Sequence, residues 1–432
     1  MTAVGAPVLS EAGTAVAIFS ILLTPLTLAG LALIHTGMAR SRNAAHLMTS
    51  ALCVVAVASI VYFVFGFAWQ GTAGGPAHVF RAGGKEWSWS ASRPLFWGGL
   101  ELNGSPASLT ACWQILCVAL AGLIPLGAGA ERWRLGAVCA STAVLAGFTY
   151  PLFAHWVWGG GWLAQLGANY GLGRGFADAG GSAAIQSVGG LTGLSMAWIL
   201  GPRRGKYTGE GMPMAIPGHN AVFVLLGCLV AWVGWLGLNT AGAILVAGAA
   251  PGSAALVAVN TTLAAAASAL VTAAVTRVRF GKPDASLTAN GWVAGLAAGS
   301  AGCVFLAPAA ALLTGFVAGF LVPLAIENLE LRLGIDDPGG CISVHALGGL
   351  WGVLAAGWLG KFGPGQGLAQ FIGVATLLGF VLPATYVLNW ILDRAMRYRA
   401  APEGERQGLD LSELGAGAYP EFMTHTDEFL QH

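Results

Sequence analysis

Two stretches of the chain carry the same polar residues at the same spacing. Asp178-Ala-Gly-Gly-Ser-Ala-Ala-Ile-Gln186-Ser-Val-Gly-Gly-Leu-Thr-Gly193 aligns without gaps onto Asp337-Pro-Gly-Gly-Cys-Ile-Ser-Val-His345-Ala-Leu-Gly-Gly-Leu-Trp-Gly352. Both read D-x-G-G-x4-[Q/H]-x2-G-G-L-x-G. Each Asp opens an apolar run, where its carboxylate can cap free backbone N–H groups at the positive end of a helix dipole. Eight residues on, a helix has risen about 12 Å, which puts Gln186 and His345 deep inside the apolar segment. A polar side chain at that depth is costly and marks a pathway or cavity. The chemistry open to the pair is hydrogen bonding and, at His345, proton transfer. A glutamine donates and accepts hydrogen bonds but carries no proton near neutral pH.

The elements that position these residues are long apolar helices. A bilayer-spanning helix needs about 20 mostly apolar residues. Eleven runs meet that need, over 14–36, 46–70, 108–129, 133–155, 180–201, 219–240, 254–276, 285–304, 308–327, 342–360 and 367–393. The expected fold is an all-α integral membrane protein of eleven transmembrane helices. The first repeat copy opens span five and the second opens span ten, so the two enter the membrane from opposite faces. That is the pattern of an inverted repeat, with halves over 14–201 and 219–360 and a final helix over 367–393. Chance similarity between Gly-rich helices is the competing account of the match. The Gly-Gly pairs beside Gln186 and His345 permit close contact between the two helices. Residues 1–393 form the transmembrane domain and 394–432 a polar tail.

Composition agrees with a membrane setting. Only 9% of the 432 residues are charged and 56% are hydrophobic, against roughly a quarter charged in a soluble domain. The 65 glycines suit helices whose backbones approach closely in a bilayer. A net charge of +1 argues against a nucleic-acid partner. The seven cysteines are odd in number, lie in or beside apolar stretches and form no CxxC or Cys/His cluster, so they read as packing residues. The first 15 residues hold no Lys or Arg, so no cleavable signal peptide is expected. With the N-terminus outside, fifteen of the 20 basic residues fall in inner loops and the tail, the arrangement that the positive-inside rule selects. The tail is then cytoplasmic. The outer segment near 71–107 holds Trp87, Trp89 and Trp97, which suit an interfacial position. No metal cluster, phosphate-binding loop or nucleophile–base set appears, so neither an enzyme nor a cofactor is expected.

At these residues the chain resembles the ammonium transporter (Amt/Mep/Rh) family. The resemblance runs from about Leu23 to Tyr419 and rests on ordered blocks. They are Gly30-Leu-Ala-Leu-Ile-His-Thr-Gly37, Gly129-Ala-Glu-Arg132, Ala154-His-Trp-Val-Trp-Gly-Gly-Gly161, His219-Asn220 leading to Gly234-Trp-Leu-Gly-Leu-Asn239, Val259-Asn-Thr261, Gly281-Lys-Pro283 and Asp336-Asp337 through His345. Gly408-Leu-Asp410 to Ala418-Tyr419 matches the family's cytoplasmic tail. The resemblance implies a homotrimer in the plasma (cell inner) membrane, each subunit with its own narrow apolar pore. It implies recruitment of ammonium at the outer mouth by an aromatic cage, with Trp158 as the recruiting tryptophan and Asp178 as the nearby acid. His345 matches the second pore histidine. A tryptophan face attracts a partly desolvated cation by about 0.5–2 kcal/mol. Trp158 also reads as an interfacial anchor, and Asp178 as a structural cap. His35, His155 and His219 read as structural or loop residues.

The chain departs from the family at the pathway itself. Gln186 stands where the resemblance places the first pore histidine, so a relay shared between two imidazoles is not expected. The family's two stacked phenylalanines fall at Leu238 and at Leu116 or Cys117, with Trp113 one turn earlier. The serine of the outer site corresponds to Gly242. The main reading is an ammonium or ammonia transporter or channel with an altered proton path. A non-transporting ammonium sensor that binds the ion in an internal cavity is the alternative, and a pore for another small neutral gas or amine is a third. Related sensors carry a signalling domain after the tail, where this chain has residues 420–432. The Gly408-Leu-Asp410 segment resembles the one through which PII-type proteins regulate relatives.

Overall fold

The computed structural model describes residues 9–419; the expected stretches 1–8 and 420–432 lie outside the described residues. Among those described, ten helical stretches are long and apolar enough to cross a membrane. In chain order the helices are α1 (Glu11–Met38), α2 (Ser41–Gln70), α3 (Pro106–Gly129), α4 (Leu135–Trp158), α5 (Ser182–Leu200), α6 (Ala221–Leu245), α7 (Pro251–Phe280), α8 (Ala285–Ala301), α9 (Pro308–Leu333), α10 (Ile342–Leu359) and α11 (Gln366–Met396). The run expected over 285–304 is α8, whose 17 residues fall short of the others. At about 26 Å it is enclosed by α6, α7, α9 and α10. Among the described residues α8 is one residue shorter than α10, the shortest of the ten.

Helix starts follow local chemistry. Ser10 accepts from Gly13 N (3.1 Å), Ser105 from Ser108 N (3.4 Å), Asn220 from Phe223 N (3.0 Å) and Asp284 from Leu287 N (2.7 Å). Each satisfies a donor that the first helical turn leaves free. Between helices, small residues set the spacing. A Cβ on Gly30 of α1 would fall on the backbone of Ala231 in α6, and one on Gly315 of α9 on Ala264 of α7. In a bilayer such close packing replaces the hydrophobic drive that water supplies. Serine and threonine hydroxyls add interhelical bonds, such as Ser182 Oγ to Ala297 O (2.6 Å) and Thr272 Oγ1 to Gly319 O (2.8 Å).

The segment after α2 contains structure that periodicity did not suggest. Strands β1 (Ala77–Ala82) and β2 (Lys85–Ala91) pair antiparallel. Gly83 and Gly84 join them at φ of +60° and +73°, the left-handed backbone that a tight two-residue hairpin turn needs. Trp87 is buried, with its ring 5.6 Å from Tyr170. Trp89 is exposed and Trp97 half-buried against Phe63 and Phe67.

At the opposite end lies a buried ionic network. Arg203 donates to Asp336 through Nε (2.9 Å) and Nη2 (3.0 Å), and to Glu131 Oε1 through Nη1 (2.9 Å). Arg132 donates to the carbonyls of Asp336 (2.9 Å) and Gly201 (2.7 Å), and Arg40 pairs with Glu131. The tail docks beside this network. Arg399 pairs with Glu405 (2.9 Å) and donates to Leu200 O (2.7 Å). Asp410 accepts from Ala45 N (3.2 Å) and His46 N (2.7 Å) at the start of α2. Glu413 accepts from Leu135 N (2.7 Å) at the start of α4 and touches His46 Nε2 (3.0 Å).

Candidate functional site

The repeated pattern builds the same local geometry twice. Asp178 accepts from Gly181 N (2.9 Å), Ala183 N (2.9 Å) and Ala184 N (3.0 Å). Asp337 accepts from Cys341 N (3.0 Å) and Ile342 N (2.7 Å). Both carboxylates are buried and turned onto the first N–H groups of α5 and α10. Between acid and helix the second glycine of each pair is left-handed, Gly181 at φ +95° and Gly340 at φ +69°, a conformation in which a side chain is strained. Each helix then begins in a widened π-helical turn, Ser182–Ser187 and Ile342–Leu347. Turns of this kind gather at functional sites.

The two helices cross at the second Gly-Gly pair of each copy. A Cβ on Gly190 would lie 2.7 Å from Ala346 Cα, and one on Gly349 would lie 3.1 Å from Ser187 N. Gly190 and Gly349 are equivalent in the repeat, as are Ser187 and Ala346, so the two contacts are one contact made twice. Gln186 and His345 are also equivalent, and they touch each other: His345 Nδ1 lies 2.7 Å from Gln186 Oε1, across 159 residues of chain. They therefore sit where a local two-fold relation brings the copies together. With Nδ1–H donating to the amide oxygen, Nε2 is the ring nitrogen left with a lone pair. The other end of the amide, Gln186 Nε2, is buried and has no hydrogen-bonding partner. An unsatisfied buried donor of this sort is uncommon and calls for a ligand or water.

At the Trp158 end two indoles pack against each other. Trp158 closes α4 and donates Nε1–H to Asp178 O (2.6 Å). The acid thus holds the tryptophan by its backbone and the helix by its side chain. Trp113 of α3 lies 5.1 Å from Trp158, centroid to centroid, at 52°, and its Nε1 is buried without a partner. Gly242 of α6 faces this ring, where a Cβ would come within 2.9 Å of Trp113 Cζ2. Leu238, one turn earlier on α6, is fully buried. Of the two positions open on α3, Cys117 is fully buried and Leu116 only partly so. His155 and His219 are structural. The first bonds Gln70 O (2.7 Å) and Ser88 Oγ (2.9 Å), the second Ala39 O (2.9 Å) and Tyr419 Oη (3.0 Å).

The sequence profile of the Ammonium Transporter Family matches residues 15–419. The chain belongs to the ammonium transporter family. It is 36% identical to "Ammonium transporter Amt2" of Archaeoglobus fulgidus over 421 residues, covering 91% of this chain and 85% of that one. It is 31% identical to the "Ammonium transporter" of Bacillus subtilis, covering 94% and 98%. Among solved structures it resembles the "Sensor Amt Protein" at a TM-score of 0.83 and 26% identity, covering 93% and 98%. Saccharomyces cerevisiae Mep2 shares the fold at a TM-score of 0.78 and 24% identity, covering 91% and 90%.

In this ammonium transporter family member, Trp113 fills the space that Gly242 leaves open. A serine at 242, which the resemblance would place there, needs the space that the Trp113 ring and the Ala179 carbonyl occupy. The large residue on α3 and the small one on α6 are sterically coupled. Gly242→Ser is expected to push Trp113 off Trp158 and raise the ammonium concentration for half-maximal uptake about 2- to 30-fold, the value of one cation–π contact. Adding Trp113→Phe removes the ring atoms but not the carbonyl, so part of the loss should be recovered. Fully additive uptake constants across this double-mutant cycle would refute the coupling. No sequence pattern announced the pairing, because the two residues come from helices over a hundred positions apart.

Proposed function

We propose that the chain conducts ammonium or ammonia through a narrow pore in each subunit of a homotrimer, by a proton path altered at Gln186. The observation that carries this reading is the buried Gln186–His345 contact of 2.7 Å at the crossing of the two repeat helices. Trp158 and Trp113 recruit the ion at the outer mouth, and Asp178 fixes Trp158 in place. Leu238, Cys117 and Gly242 line the approach, with Leu116 at its edge. Gln186 and His345 hold the solute inside. In this reading α8 crosses with the other ten helices, the N-terminus lies outside the plasma (cell inner) membrane, and the tail lies in the cytoplasm. The transmembrane domain is 1–393 and the tail 394–432. The docked tail is the surface that a PII-type protein would engage. No catalytic role is assigned.

Ammonium flux into proteoliposomes with a paired current measurement tests the reading. Ammonium-dependent flux from the wild type is expected, and none at all would sink it. The likeness to the "Sensor Amt Protein" at a TM-score of 0.83 favours the receptor reading as the second. Tight ammonium binding without flux is the result that would select it.

A further inference from the structure

His35 does not behave as a packing histidine. It lies near the end of α1 and is only 3% exposed. Its Nε2 is 3.4 Å from Cys341 Sγ, and its Nδ1 is buried with no partner. A core histidine normally has both nitrogens satisfied, as His155 and His219 do here. Cys341 is one turn before His345 on the same helix, and Cys341 also lies against Gly127 of α3. A Cβ at Gly127 would come within 2.8 Å of His35 Nε2, so that glycine makes room for the ring. Cys341 is the ionisable group that touches His35, and His345 follows one turn further along the same helix. The Asp337 carboxylate behind them is taken up by backbone N–H groups, and α6 packs alongside with Gly227 and Ala231.

We propose that His35 is the second proton-carrying group of the conduction path, placed on the tail side of His345 instead of at position 186. The inference rests on the transport reading above. Ammonium keeps its proton past Gln186, which cannot take one. The N–H bond then breaks as one forms at His345 Nε2, releasing ammonia. That proton passes to the free Nδ1 of His35 and leaves to inner water, where it rejoins ammonia. Both imidazoles return to neutral. The path therefore runs from Gln186 through His345 to His35, displaced inward by about one helical turn.

The test compares the full-length wild type with His35→Gln, which keeps polarity but carries no proton, and with His35→Gln/Gln186→His. Intact oligomers are checked by size-exclusion chromatography. In proteoliposomes His35→Gln is expected to lose charge movement by about 100-fold or more, the usual worth of a proton-transfer group. The double variant should regain it. A His35→Gln current equal to wild type overturns the proposal. The second readout is 15N NMR of the histidine nitrogens. Two coupled titrations are expected in the wild type, and a changed His345 titration in His35→Gln. A current that falls without recovery in the double variant, with the His345 titration unmoved, marks His35 as packing and also overturns it. If the wild type itself shows no flux, the transport reading falls, and the NMR comparison still decides the role of His35.

Discussion

His345→Ala should abolish the ammonium current and lower stability together. The substitution removes the lone-pair nitrogen and also strips Gln186 Oε1 of its 2.7 Å donor. Gln186 Nε2 already has no partner, so the whole amide would be buried unpaired. Each orphaned polar group costs about 1–3 kcal/mol, and loss of a proton-transfer group costs about 100-fold or more in rate. Proteoliposome current and detergent-solubilised thermal melting measure the two effects on one preparation. His345→Gln separates them, since a second amide can pair with Gln186 but cannot carry a proton. It is expected to restore much of the melting temperature and none of the current. A His345→Ala variant with wild-type current would place the conduction path elsewhere.

Asp336→Ala should be the most destabilising single change at the opposite end. Burial alone would raise the Asp336 carboxyl, but the hydrogen bonds and charge of Arg203, with Arg132 behind, hold it down at about 2. Removing it leaves the buried Arg203 guanidinium with Glu131 alone and the buried Arg132 with no carboxylate. Breaking a buried pair by deleting one partner costs about 3–5 kcal/mol, far more than an exposed pair contributes. The folded value lies below the ordinary carboxylate value of about 3.9. The contribution of Asp336 is therefore complete above that ordinary value and is lost only as the pH falls through about 2. Wild-type melting temperature should show no Asp336-dependent fall between pH 7 and pH 5, and the variant should melt well below it throughout. Equal melting temperatures at pH 7 would show that the network carries no net stability.

The sequence carried more of the repeat contact than of the packing around it. Period and spacing were enough to pair Gln186 with His345, because both lie eight residues after a capping Asp and the repeat relates them directly. The caps at Asp178 and Asp337 followed from the same reasoning. Trp113 could be named, but its contacts with Trp158 and Gly242 depend on how three distant helices pack, which periodicity does not encode. Register on α3 stayed open between Leu116 and Cys117 because both are apolar; only burial separates them. His35 reads as structural in the sequence, since a lone histidine on an apolar helix says nothing about what lies across from it. The hairpin was missed for a different reason. A Gly-Gly turn and strands of six and seven residues give a weak signal beside long apolar helices.

The docking of Asp410 and Glu413 also bears on when this fold can be finished. Asp410 reaches back 365 residues to Ala45 and Glu413 reaches back 278 to Leu135. At a synthesis rate of about 5–20 residues per second, the start of α2 exists for about 20–70 s before the carboxylate that closes it is made. During that interval its first N–H groups have only water. Early helices of this protein are thus laid into the membrane with one end provisional, and the structure seals itself from behind.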